Sequence, residues 1–147
     1  MISKYISFSV FVTYEWCLEK RRMFKYSCVF IHIMFEAISR KDIVSINLQF
    51  DKGTVINEGS LGYALAQANQ TKSWIKACAL LVRAVLIDHI FEEGNKRTAA
   101  AITAGYFEDK QLSYDPEKVT KAIVAILTKN ITSIQKIEQV ILDAVIR

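Results

Sequence analysis

The sequence predicts an all-α protein, a compact helical bundle, and three observations support this. From Met34 onward apolar residues recur at helical spacing, and no run alternates as a strand would. The 147 residues include one proline and five glycines, so long helices are seldom interrupted. Apolar residues make up 52% of the chain, which suits one buried core and excludes disordered and low-complexity classes.

The first two helices are predicted from caps and apolar stripes. Ser39 stands three residues before Asp42, in the pattern of a capping box. The helix that follows should end at residues 51–53, which read Asp-Lys-Gly. Ser60 is the predicted cap of a short second helix. The apolar stripes of these two helices are Ile43, Ile46 and Phe50, then Leu61, Leu65 and Ala66.

The next two helices are the centre of the predicted bundle. Thr71 is the predicted cap of a third helix over 72–88, which is apolar on nearly every side and should therefore be buried. A fourth helix is predicted over 96–108. One face of it carries small side chains, which allow a neighbouring helix to approach closely.

The last third of the chain predicts a turn or short extended piece over 110–114 and then two helices. Pro116 suits the first position of the fifth helix, over 117–129. Thr132 and Gln135 have the spacing of a second capping box and predict the start of the last helix.

Charge and cysteine content indicate a cytoplasmic protein that binds neither nucleic acid nor membrane. The three cysteines form no Cys-x-x-Cys pair, which fits neither a disulfide framework nor a zinc ribbon. Residues 1–33 hold five basic and two acidic residues, so they supply +3 of the net charge of +4 and leave the rest nearly neutral. The apolar run over 5–18 contains Glu15 and is shorter than the ~20 residues of a membrane-spanning helix.

Residues 1–33 differ from the rest and are predicted to be a separate, aromatic-rich leader. They hold eight of the 16 aromatic residues and two of the three cysteines. One interpretation is an accessory element that packs its aromatic side chains on the main domain or a partner. The other, which we favour, is that natural translation begins at Met34 or Met23, so that residues 34–147 form the domain.

Residues 89–97 join the third and fourth predicted helices and read His-Ile-Phe-Glu-Glu-Gly-Asn-Lys-Arg. Gly94 and Asn95 tolerate the backbone angles of a tight turn. The amides that follow open a helix, and a helix N-terminus attracts anions. Lys96 and Arg97 place two positive charges there, against the helix dipole. A bound phosphate would relieve that conflict.

Two side chains of the same string can supply reaction chemistry. The Glu93 carboxylate suits magnesium, which typically takes one or two carboxylates plus phosphate oxygens. His89 suits a general base for a hydroxyl nucleophile, because imidazole changes its charge near neutral pH. A lone histidine at a helix end is more often a structural cap, and Glu92 is expected to be solvated. The full string, however, indicates phosphoryl or nucleotidyl transfer.

The string resembles the signature of the Fic/Doc family, His-x-Phe-x-(Asp/Glu)-(Gly/Ala)-Asn-(Gly/Lys)-Arg, with every specified position present. The order of helices over most of 34–147 is also similar to Doc, whereas residues 1–33 are outside the resemblance. It implies a helical bundle with the active-site loop between two central helices. It also implies that His89 deprotonates the target hydroxyl, that Phe91 anchors the loop in the core and that Glu93 binds Mg²⁺.

The resemblance further implies that ATP or another nucleoside triphosphate is the co-substrate. Gly94 and Asn95 would form the anion hole, and Lys96 and Arg97 would contact the phosphates. The implied partner is a target protein with a Ser, Thr or Tyr hydroxyl, such as one of the translation machinery. An antitoxin protein would be a further partner.

Two departures from the family pattern choose between its branches. Family members that transfer AMP carry Gly after the Asn and a second Arg three residues after the first, where this chain has Lys96 and Ala100. The lysine resembles Doc toxins, which phosphorylate their target. We therefore expect transfer of a terminal phosphate, with AMP transfer as the alternative. A third alternative is an inactive binding module, although such a chain would have no reason to keep both His89 and Glu93.

Residues 54–59 read Thr-Val-Ile-Asn-Glu-Gly and resemble the Ser/Thr-x-x-x-Glu-(Gly/Asn) motif by which some Fic proteins inhibit themselves. Glu58 is accordingly a candidate inhibitory residue. In the family that glutamate pairs with the second arginine, where this chain has Ala100. The competing interpretation is a loop that leads into the second helix.

Overall fold

The computed structural model describes residues 37–147, and these form six α-helices with no strand among them. The predicted all-α class is confirmed for this part of the chain. The leader and the start at Met34 or Met23 lie outside the described residues. The helices are α1 (Arg40–Asn47), α2 (Glu58–Gln70), α3 (Trp74–Leu86), α4 (Asn95–Asp109), α5 (Pro116–Thr128) and α6 (Ile134–Leu142).

The capping box at the start of α1 is confirmed. The Ser39 Oγ accepts a hydrogen bond from the Asp42 amide, and the Ser39 amide donates to the Asp42 carboxylate at 2.8 Å. The prediction for α2 was wrong by one turn, since its N-cap is Asn57 and the amide of Ser60 donates to the Asn57 side chain. An Asn is as good a cap as a Ser, and the earlier one allows a longer helix.

Helix α3 is the central helix, as its composition predicts, and packs against α2, α4 and α6. Its cap is Ser73, because Thr71 ends α2 and uses its hydroxyl to accept from the Ser73 amide. Eight of its 13 residues are buried. The buried face consists of Ala77, Cys78, Ala79, Leu81, Val82, Ala84, Val85 and Leu86.

The remaining helices surround this centre, with α4 packed on α1, α3 and α5, and α5 packed on α6. Pro116 occupies the first turn of α5 behind the Asp115 cap, close to the prediction. The second capping box was wrong: α6 follows Ser133, and no side chain caps it. Helix α6 ends at Leu142, a turn follows at residues 143 and 144, and Val145 pairs with Tyr114 in an isolated bridge.

Within residues 37–147 no helix combines the length and the apolar character that crossing a lipid bilayer requires.

Candidate functional site

The string singled out in the sequence, residues 89–97, covers most of the connection between α3 and α4 and the first three residues of α4. Ile90 and Phe91 are fully buried, so Phe91 does anchor this loop in the core. His89 lies just before them and is exposed, with a φ of 47°. This left-handed conformation is unfavourable for a residue other than glycine, and such outliers persist only where the surroundings enforce them.

The segment before α2 holds the loop from one side. The amide of Ile56 donates to the Ile90 carbonyl at 2.8 Å, and the amide of Glu92 donates to the Thr54 carbonyl at 3.0 Å. The Asn57 side chain adds a hydrogen bond of 3.0 Å to the Asp88 carbonyl. The backbone on both sides of His89 is therefore fixed, while its side chain faces solvent.

A second set of hydrogen bonds closes the loop on itself. Asn95 Oδ1 accepts from the Phe91 amide at 3.1 Å, and Asn95 Nδ2 donates to the Phe91 carbonyl at 2.8 Å. The side-chain amide of Asn95 is thus committed to the loop backbone. The side-chain oxygen and one side-chain N–H of Asn95 are bonded to Phe91, and its backbone N–H is one of the first-turn amides of α4.

The start of α4 has the features of an anion site. Its N-cap is Gly94, with a φ of 76° and no side chain to cap the helix. The N–H groups of the first helical turn have no acceptor within the helix. Lys96 is exposed, and the Arg97 guanidinium lies 5.6 Å from the centre of the Phe50 ring. No acidic residue occupies the first turn to balance these cations.

Both glutamates of the loop are exposed, and Glu93 directly precedes Gly94. No group of three or more His, Cys, Asp or Glu side chains that could hold a metal occurs within residues 37–147. Magnesium that is bound through phosphate needs one or two carboxylates and takes its other ligands from phosphate and water. The exposed Glu93 carboxylate beside the uncapped helix fits that mode of binding.

Glu58 lies at the start of α2, where its carboxylate pairs with Arg40 from α1. The hydrogen bonds from Arg40 lower the pKa of the Glu58 carboxyl. An inhibitory role would require this carboxylate to leave Arg40, and that role stays a prediction. Ala100 is buried within α4.

Sequence reasoning missed two residues that support the loop: Asn47, the last residue of α1, and Phe50, in the turn that follows this helix. Asn47 is fully buried and bonded to the loop, and Phe50 lies under Arg97. The available signal for Asn47 was a polar residue one position after Ile46, on the apolar side of a predicted helix.

Cys78 is fully buried in α3 and has no part in this site. Burial raises the pKa of its thiol to about 12, so the thiol is not reactive.

Comparison with known proteins assigns no relative, since no protein-family model, no curated protein and no solved structure matches this chain.

Proposed function

We propose that the protein is a magnesium-dependent phosphotransferase that moves the terminal phosphate of a nucleoside triphosphate to a Ser or Thr hydroxyl of a target protein. The observation that carries this proposal is the α3–α4 loop. It presents an exposed His89 and an exposed Glu93 beside the uncapped, cation-bearing start of α4. The likeness of the loop sequence to Doc toxins supports the same activity and a role in a toxin–antitoxin pair.

Four side chains have a role in the proposed reaction: those of His89, Glu93, Lys96 and Arg97. His89 accepts the proton of the target hydroxyl, whose oxygen bonds to the terminal phosphorus while the bond to the leaving diphosphate breaks. The first-turn amides of α4, with Lys96 and Arg97, bind the phosphate oxygens. Magnesium held at Glu93 would neutralise charge on those oxygens.

The buried Ala100 favours transfer of the terminal phosphate over transfer of AMP. A residue at that position faces the core of the bundle and is 1% exposed. The methyl side chain of Ala100 cannot supply the second cation that AMP transfer uses in the family that the loop resembles. Lys96, in the first turn, puts the additional charge next to Arg97 instead.

Labelled ATP distinguishes the three candidate functions. The protein is incubated with Mg²⁺, a cell extract and ATP labelled at the γ or the α phosphate, beside His89→Ala. Gln111→Ala is the matched control, because Gln111 also has a positive φ, of 55°, in the turn that follows α4. Protein labelled only from γ-labelled ATP supports the proposal. Label from α-labelled ATP supports AMP transfer, and no label above that of His89→Ala supports a binding module.

A further inference from the structure

Asn47 is the last residue of α1 and is completely buried, although its neighbours Ile43 and Ile46 on the same helix belong to the hydrophobic core. Burial of a side-chain amide without hydrogen-bond partners costs about 2–7 kcal/mol. Asn47 therefore needs hydrogen-bond partners within the fold.

Both N–H groups and the oxygen of the Asn47 side chain have hydrogen-bond partners, and both N–H groups donate to residues between 93 and 98. Nδ2 donates to the Glu93 carbonyl and to the Thr98 Oγ1, each at 3.0 Å. Oδ1 accepts from the Gly53 amide at 2.9 Å. The Thr98 hydroxyl donates in turn to the Gly94 carbonyl at 2.9 Å, so the network encloses Gly94 from both sides.

This network fixes the direction of an amide at the anion site. The Glu93–Gly94 peptide bond is trans, and in a trans peptide the C=O and the N–H point in opposite directions. Because the Glu93 carbonyl points to Asn47, the Gly94 N–H points away from the buried side of the loop. A Cβ on Gly94 would lie 3.1 Å from Asn47 Nδ2, which shows how closely the two residues approach.

We propose that Asn47 is the positioning residue of the phosphate-binding loop, acting through the Glu93 carbonyl and the Thr98 hydroxyl. By holding these two groups it directs the Gly94 N–H and the first-turn amides of α4 to a nucleotide phosphate. This assignment rests on the proposed function. It differs from a purely structural role in one consequence: loss of the Asn47 donor weakens nucleotide binding out of proportion to its effect on folding.

The test is calorimetric titration of the full chain with Mg²⁺·ATP. Asn47→Asp keeps the acceptor for Gly53 and removes the donor, and Thr98→Val removes the hydroxyl without changing the volume much. We expect each variant to raise the Kd about tenfold, as a loss of about 1.4 kcal/mol does. The double variant should also raise it about tenfold, not a hundredfold, because both changes break one network. Thr98→Ser keeps the hydroxyl and should bind as the wild type does.

Asn69→Asp is the matched control. Asn69 also bridges backbone groups, accepting from the Ile38 amide and donating to the Ile38 carbonyl, both at 2.9 Å, away from the loop. We expect it to lower the melting temperature and to leave the Kd unchanged. Wild-type affinity in both Asn47→Asp and Thr98→Val, or an equal loss in Asn69→Asp, overturns the positioning role alone. Absence of binding by the wild-type protein overturns the proposed function, and the positioning role with it. Thr98→Val carries the test if Asn47→Asp does not fold.

Discussion

The side-chain amide of Asn95 and the backbone of Phe91 form a closed pair of hydrogen bonds, of 3.1 and 2.8 Å. Phe91 is buried in the core, whereas Asn95 begins α4. The pair therefore joins the buried anchor of the loop to the helix that presents its amides and cations. Through this connection, the buried Phe91 helps to hold the start of α4, where the proposed phosphate site lies.

Loss of the Asn95 donor should reduce both stability and phosphate transfer. Asn95→Asp keeps an acceptor for the Phe91 amide but leaves the Phe91 carbonyl without its donor, which costs about 1–3 kcal/mol. Urea unfolding and γ-label transfer measure the two effects. Asn69→Asp, with the same chemistry at Ile38, should lose stability only. Full transfer by Asn95→Asp would show that this pair does not organise the site.

His89→Gly should be more stable than His89→Ala, and both variants should be inactive. The φ of 47° at His89 is costly for any residue with a Cβ, by about 1–2 kcal/mol, and costs glycine nothing. We expect His89→Gly to be more stable than His89→Ala by about 1 kcal/mol in urea unfolding, with no γ-label transfer by either. Equal stabilities would mean that the loop relaxes around position 89, and transfer by either variant would remove His89 from the reaction.

A methyl group at position 94 should damage the loop. Gly94 has a φ of 76°, and a Cβ there would approach Asn47 Nδ2 to 3.1 Å and Asp51 Cβ to 3.4 Å. Gly94→Ala should therefore destabilise the protein by about 1–3 kcal/mol. Gly62→Ala is the control, since nothing lies within 4 Å of its added Cβ. As an interior position of α2, Gly62 should gain about 0.5–1 kcal/mol from alanine. The melting temperatures of the two variants should move in opposite directions, and a parallel shift would refute this argument.

Glu108 provides a pH-dependent stability test outside the loop. Burial raises the pKa of the Glu108 carboxyl above its ordinary value of 4.5, against the opposing effect of the hydrogen bond from Tyr114. Between pH 4.5 and the raised pKa of Glu108, the folded protein therefore binds more protons than the unfolded chain. The free energy of unfolding falls as the pH rises through this range. Glu108→Gln keeps the acceptor for Tyr114 and cannot ionise.

Glu108→Gln should therefore be more stable than the wild type at about pH 7 and should lose this advantage at about pH 3.5, where the carboxyl is protonated in both states. Thermal unfolding at the two pH values measures the difference. Glu92→Gln changes an exposed carboxylate and is the control. A gain of the same size at both pH values would contradict the burial argument.

Helix content could be predicted from the sequence because it depends on local patterns. The apolar repeat of α3 and the capping box at Ser39 are both properties of neighbouring residues, and both are confirmed. Caps were less predictable where two polar residues competed, as Ser73 did with Thr71. Which of the two residues caps the helix depends on where the preceding helix ends, and the residues around the cap do not determine that end.

The support of the loop could not be predicted, because it is formed by residues distant in sequence. Asn47 and its partner Glu93 are 46 residues apart in the sequence, and the local pattern of α1 does not indicate which residues Asn47 contacts. The side-chain bonds of Asn95 are a similar case: the motif indicates that an Asn is needed, but only the fold shows that its side chain holds Phe91. The roles of His89 and Glu93 were inferred from the motif and stay predictions.

The measurement that tests the central claim most directly is amide NMR of the full chain during titration with Mg²⁺·ATP. If the start of α4 binds the phosphates, the largest shifts will occur at the amides of Gly94, Asn95, Lys96 and Arg97. The amides at the start of α5, another helix N-terminus, should hardly move. Unchanged resonances for residues 94–97 at high nucleotide concentration, or larger shifts at α5, would contradict the account.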